Sequence, residues 1–218
     1  EAQNVIHITM AKHVSAGYQN ALEAAKSFEN VAVVDSGHLS SGLGLAVLCA
    51  AHLAEQHAAR SEIAASVKRM ERLISSSFLL NNTQMMRQSG RVSRRIQVLC
   101  DALMLHPILV LKKSRLTVGS MEVGGFSRTA RKYVRKMFQE TRTIDRRILI
   151  ITYCGLDAKK LQYVQGLVRQ YCPFERIYLQ KASSAIASNC GPESFGLLFM
   201  RQDDRATFTL SSRQDGVA

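Results

Sequence analysis

A chain of 218 residues can bury a sizeable core, in one large domain or two small ones. Its composition, 46% apolar and 21% charged, is that of a folded protein and excludes disorder as the overall state. The longest apolar run, Leu43 to Ala51, is about half the roughly 18 residues of a membrane helix, and Glu1 to Met10 lacks a secretory signal pattern. Because Glu1 stands directly before a strand-like run, the chain is expected to be a fragment or a natural short form.

In chain order, Val5 to Ile8 and Val31 to Val34 are short β-branched runs of the kind buried in a parallel sheet. Between them Ala21, Ala24, Ala25 and Phe28 recur at helical spacing, with Ser15 as the expected N-cap. Ser40 or Ser41 is expected to cap the next helix, which carries Leu43, Val47, Ala50 and Ala51. A further helix starts near Ser61 and places Ile63, Val67, Met70 and Ile74 on one face. After a break at Gln88 to Arg91, Pro107 opens the run Ile108 to Leu111. The basic turn Lys112 to Arg115 then leads into Leu116 to Val118, which reads as an antiparallel hairpin.

Residues 127–140 form a basic amphipathic helix. Ala130, Tyr133, Val134, Met137 and Phe138 share one side; Arg128, Arg131, Lys132, Arg135 and Lys136 lie mainly on the other. Ile148 to Thr152 reads as a buried strand, Leu161 to Val168 as a helix, and Arg176 to Gln180 and Phe195 to Met200 as strands. The alternation is that of an α/β protein.

The net charge of +12 is concentrated in one segment. Residues 87–147 hold 15 Lys/Arg against 4 Asp/Glu, a net of +11, whereas residues 1–86 hold 6 against 7. Such asymmetry speaks to partners rather than to fold. A docking surface made by Arg128, Arg131, Lys132 and Arg135 is expected, for an acidic partner or a transient contact with an anionic membrane. DNA binding or regulation through residues 87–147 is the alternative. No helix-turn-helix or zinc signature accompanies the charge.

Catalytic constellations are missing from the sequence. Cys49, Cys100, Cys154, Cys172 and Cys190 are scattered and odd in number, the six histidines are dispersed, and no metal or cofactor is expected. Gly42-Leu43-Gly44 is only a fragment of a dinucleotide fingerprint and reads better as glycines that let a helix pack closely. No Walker sequence or nucleophile elbow is present. The chemistry points to a binding protein that is not an enzyme.

The order of several motifs resembles the DegV family, the fatty-acid-binding subunits of bacterial fatty acid kinase. His13 to Asn20 (HVSAGYQN) is similar to the family's L-S-G-T-Y-Q-S. Val33 to Ser36 with Leu39 to Gly44 is similar to V-I-D-S and V-S-x-G-L-G. Ser89 to Ser93 (SGRVS) stands where the family has G-G-R-I-S, His106 to Leu109 where it has K-P-I-L, and Gly191 to Gly196 where it has G-P-G-A-L-G.

The resemblance implies a two-lobed DegV-like (EDD) fold. Residues 1–93 would form the remainder of an N-terminal lobe with a parallel sheet and helices. Residues 94–218 would form a C-terminal lobe with a mixed or antiparallel sheet, helices and the basic face. It further implies a cytoplasmic bacterial lipid-binding protein that holds a long-chain fatty acid between the lobes and presents its carboxylate to a separate fatty acid kinase. Ser15, Ala16, Arg91, Asn189 and Gly191 would form the acid's site, with a second hydroxyl from a threonine run upstream of Glu1. Three positions depart from the family pattern: Asn189 replaces a histidine, Glu193 a glycine, and Gly124-Gly125 an arginine.

Overall fold

The computed structural model describes residues 4–81, 103–139 and 141–202, together with isolated positions between 84 and 102. The chain begins as strand β1 (Val5–Thr9), helix α1 (Gly17–Ala25) and strand β2 (Val31–Asp35). β1 and β2 pair in parallel from Val5 opposite Val31 to Thr9 opposite Asp35, so the predicted strand–helix–strand unit is present. Helices α2 (Ser40–Glu55) and α3 (Arg60–Leu73) follow, and α3 runs straight into β3 (Ile74–Leu79).

The hairpin β4 (Leu105–Lys112) and β5 (Arg115–Val123) turns on Lys113 and Ser114, both with positive φ. A two-residue loop of that handedness matches the twist of its strands. Neither residue is glycine, and burial of Ser114 offsets the backbone cost: its hydroxyl donates to Glu71 Oε1 at 3.0 Å. Then come α4 (Phe126–Met137), a single 3₁₀ turn, β6 (Ile144–Cys154), α5 (Ala158–Tyr171), β7 (Arg176–Lys181), α6 (Ser184–Cys190) and β8 (Ser194–Arg201).

The larger sheet has the order β5-β4-β3-β8-β6-β7, and only β6 and β7 run parallel. β8 sits near its middle and is buried from Ser194 to Met200, because helices cover both faces. Alternation along the strand divides its side chains between two cores. Leu198 and Met200 pack with Leu45, Cys49 and Val67 of α2 and α3 and with Val34 of β2. Leu197 and Phe199 pack with Val134 of α4 and Val164 and Val168 of α5. The six-stranded sheet draws β3 from residues 1–93 and its other strands from residues 94–218.

The structure corrects several local expectations. Ile74 is the first residue of β3 rather than a helical core position. The N-cap of α1 is Ala16, one residue past Ser15, and that of α2 is Leu39. Ser40 takes a positive φ at the helix start, and the Ser41 hydroxyl is engaged elsewhere, so neither caps the backbone. Asn189 lies in α6, one residue before its end.

Gly42 is required by close approach. A Cβ there would stand 2.3 Å from Ser76 Oγ, so α2 rests on β3 only because that atom is missing. Gly44 has no such neighbour, so the packing role belongs to Gly42 alone.

Candidate functional site

An apolar pocket lies where β3, β6 and β8 meet α6. Phe78, Leu80, Phe195 and Ile186 form its walls, with Thr152, Cys154, Cys190 and Gly196 between them. Its free volume is about 10 Å³, close to that of a single water probe. Phe78 fills the space over Gly196: a Cβ on that glycine would meet the ring at 2.4 Å. Occupancy by anything larger than water therefore requires Phe78 and its neighbours to move.

One polar feature borders this pocket. Thr152, almost fully buried on β6, has its hydroxyl 2.7 Å from that of Ser41 at the start of α2. The pair joins residues 111 positions apart, and nothing in the sequence marks it. Burial raises the pKa of the Cys154 thiol, which makes it a poor nucleophile.

Ser15 and Ala16 precede α1 directly. Ser15 Oγ accepts from Gly17 N–H at 2.9 Å, an ST-turn that leaves the hydroxyl proton free to donate. On the other side, α6 carries Asn189, whose Nδ2 donates to Ala185 O at 2.7 Å. Gly191 ends α6 with a φ of 74° and donates its N–H to Ala187 O at 2.9 Å, a conformation that favours glycine. Val14 beside Ser15, and Ile186 and Cys190 flanking Asn189, pack against the same apolar cluster, so both segments border one core. Arg91 lies outside the described residues.

Glu193 follows Gly191-Pro192 with a φ of 60°. Its carboxylate pairs with Lys160 and accepts from Asn81 Nδ2 at 3.3 Å. It is thus held by Lys160 of α5 and by Asn81, just past the end of β3. Lys160 also lies over the Phe126 ring, 5.4 Å from its centroid.

The basic helix α4 is built as its periodicity predicts. Ala130, Tyr133 and Val134 are fully buried. The Tyr133 hydroxyl accepts from Leu197 N–H at 3.1 Å and lies 2.8 Å from Ser77 Oγ. On the outer side Ser127, Arg128, Arg131, Lys132 and Arg135 line a groove of about 430 Å³ closed by Tyr163 of α5.

Among the described residues no group of three or more His, Cys, Asp or Glu is placed to hold a metal. No described helix is long and apolar enough to cross a membrane.

Proteins of the same layered α/β fold are known. The model of the family described as "Uncharacterised protein, DegV family" matches residues 1–202. A DegV domain-containing protein of Caldanaerobacter subterraneus is 25% identical over 198 residues, covering 89% of this chain and 70% of that one. A DegV family protein from Thermus thermophilus, described for its fatty acid binding, is 26% identical with a TM-score of 0.79, over 93% of this chain and 72% of that one. The Fatty Acid Kinase (Fak) B3 protein of Streptococcus pneumoniae, loaded with linoleic acid, has the same TM-score at 14% identity, a likeness of fold, over 92% and 73% of the two chains. The chain belongs to the DegV family.

Proposed function

We propose that this chain is a non-catalytic acyl-binding protein. It holds a long-chain fatty acid with the tail in the pocket beneath Phe78 and Phe195, and it presents the carboxylate to a separate ATP-dependent kinase. The observation that carries this reading is the apolar pocket itself, walled by aliphatic and aromatic side chains and lined on one side by Ile186 and Cys190 of α6, the helix that holds Asn189; Val14, beside Ser15, packs against the same apolar cluster as those two residues. Similarity to the Thermus fatty-acid-binding protein supports it, and the fold shared with the kinase-subunit protein agrees with it.

In this reading the Ser15 hydroxyl donates to the carboxylate, while the N-terminus of α1, capped at Ala16, adds a favourable field. Asn189 and Gly191 flank the same rim, and Arg91 supplies a cation. Phosphoryl transfer is left to the partner, because this sequence has no phosphate-cradling loop. Phe78 moves off Gly196 to admit the chain between the two lobes, residues 1–93, which supply Phe78, and residues 94–218, which supply Phe195 and Ile186.

The test is a fluorescence titration of wild type and Ser15→Ala with a cis-parinaric acid probe. A hydroxyl bonded to a charged acceptor contributes about 1.5–3 kcal/mol, so affinity is expected to fall roughly tenfold or more. Global stability should fall by about 1 kcal/mol or less. Unchanged affinity in the variant refutes the role given to Ser15.

A further inference from the structure

The groove on α4 goes beyond acyl binding. Arg128, Arg131, Lys132 and Arg135 occupy positions i, i+3, i+4 and i+7, so four cations lie in one stripe about 10 Å long. Among the described residues only Lys132 of the four has an ion-pair partner, Glu122 at 3.3 Å. Such a stripe opposes the fold that carries it. Like charges at these spacings repel, and Arg128 stands in the first turn, where the helix dipole disfavours a cation.

The arginines are nevertheless positioned. Tyr163 donates to Ser127 O at 3.0 Å and accepts from Arg131 Nε and a terminal guanidinium nitrogen at 3.4 and 3.3 Å. The Arg128 stem packs where a side chain on Gly124 would come within 3.1 Å of it.

We infer that this groove receives an acidic helix of a partner protein, whose carboxylates recur one turn apart and meet the cations of α4. Three observations choose that occupant. The cations recur at helical intervals, so carboxylates on a facing helix meet them in register. The surface is concave, with Tyr163 as its far wall, which suits a convex rod better than a flat bilayer. And the apolar face of α4 packs on the sheet, with Ala130, Tyr133 and Val134 fully buried and Phe126 and Met137 partly so, which leaves this helix little to insert among lipid chains.

The experiment uses the whole chain and a fluorescein-labelled alanine-based helical peptide with Glu at i, i+3, i+4 and i+7. Its Gln counterpart and phosphatidylcholine vesicles containing phosphatidylglycerol are run beside it at about 0.1 M salt. The Glu peptide is expected to bind about tenfold or more tightly than the Gln peptide, and Arg131→Ala/Arg135→Ala to remove that difference. In the variant, thermal unfolding should match or exceed wild type, as relief of like-charge repulsion requires, and cis-parinaric acid binding should be unchanged, which separates this claim from the acyl site. Equal binding of the Glu peptide by wild type and the double variant overturns the inference. So does arginine-dependent vesicle binding without peptide binding, which would assign the groove to a lipid surface.

Discussion

Gly42→Ala separates two effects of opposite sign. Judged as a helix residue, alanine stabilises relative to glycine by up to about 1 kcal/mol. Judged by its surroundings, the new Cβ lies 2.3 Å from Ser76 Oγ and 3.3 Å from His38 Cβ, about 1 Å inside ordinary contact with the hydroxyl. Ser76 is not free to turn aside, because its hydroxyl lies 2.9 Å from His38 Nδ1 in a buried pair. Either α2 moves off β3 or that pair breaks. Overpacking of this kind costs about 1–3 kcal/mol, so after the helix-propensity gain a net loss of roughly 0–2 kcal/mol is expected. Urea unfolding of wild type, Gly42→Ala, Ser76→Ala and the double variant measures it. The double variant should recover at least about 0.5 kcal/mol relative to additivity, since alanine at 76 removes the obstructing oxygen. A gain in stability for Gly42→Ala alone would refute the close-approach argument.

Other consequences are equally direct. Tyr133→Phe leaves the Leu197 N–H without its acceptor in a dry core and should cost about 1–3 kcal/mol in urea unfolding, against near neutrality at an exposed tyrosine. Burial disfavours the charged form of His38 and lowers its pKa, against the opposing pull of the Glu71 backbone bond and the Glu71 and Asp35 carboxylates. Its contribution to stability is therefore complete above its ordinary value of 6.5 and is lost as pH falls below it, so wild type should lose more stability than His38→Gln between about pH 7 and pH 5. Glu193 takes a left-handed conformation that costs a non-glycine residue about 1–2 kcal/mol, while its partly exposed pair with Lys160 returns about 0–1 kcal/mol. Glu193→Gly should thus match or exceed wild type in thermal unfolding and Glu193→Ala should fall below it; equal values for the two variants would remove the strain argument.

Periodicity carried much of the architecture. β1, β2, the β4–β5 hairpin and the two faces of α4 were legible because each has one buried side and a composition that shows it. β3 was not. Its run Ser75-Ser76-Ser77 looks polar, yet Ser76 is satisfied by His38 and Ser77 by Tyr133, partners far away in the chain. The caps were displaced by one residue at Ser15 because the hydroxyl bonds Gly17 N–H from outside the helix.

In the site, the cationic stripe could be read from spacing alone, but Tyr163, which orients Arg131 and closes the groove, comes from another helix. Thr152 and Lys160 were invisible for the same reason: Ser41 and Glu193 give them meaning, and only the tertiary fold makes those pairs.

Acyl binding is the central claim, and native mass spectrometry tests it most directly. The purified protein, incubated with palmitic or oleic acid and with the matching fatty alcohol as control, should retain one acid per chain and little alcohol. A ligand present at 100 times its Kd should also stabilise the fold by about 2.7 kcal/mol, visible as a rise in Tm. No retained acid and an unchanged Tm, with the protein folded, would contradict the assignment of the pocket beneath Phe78 to a fatty acid.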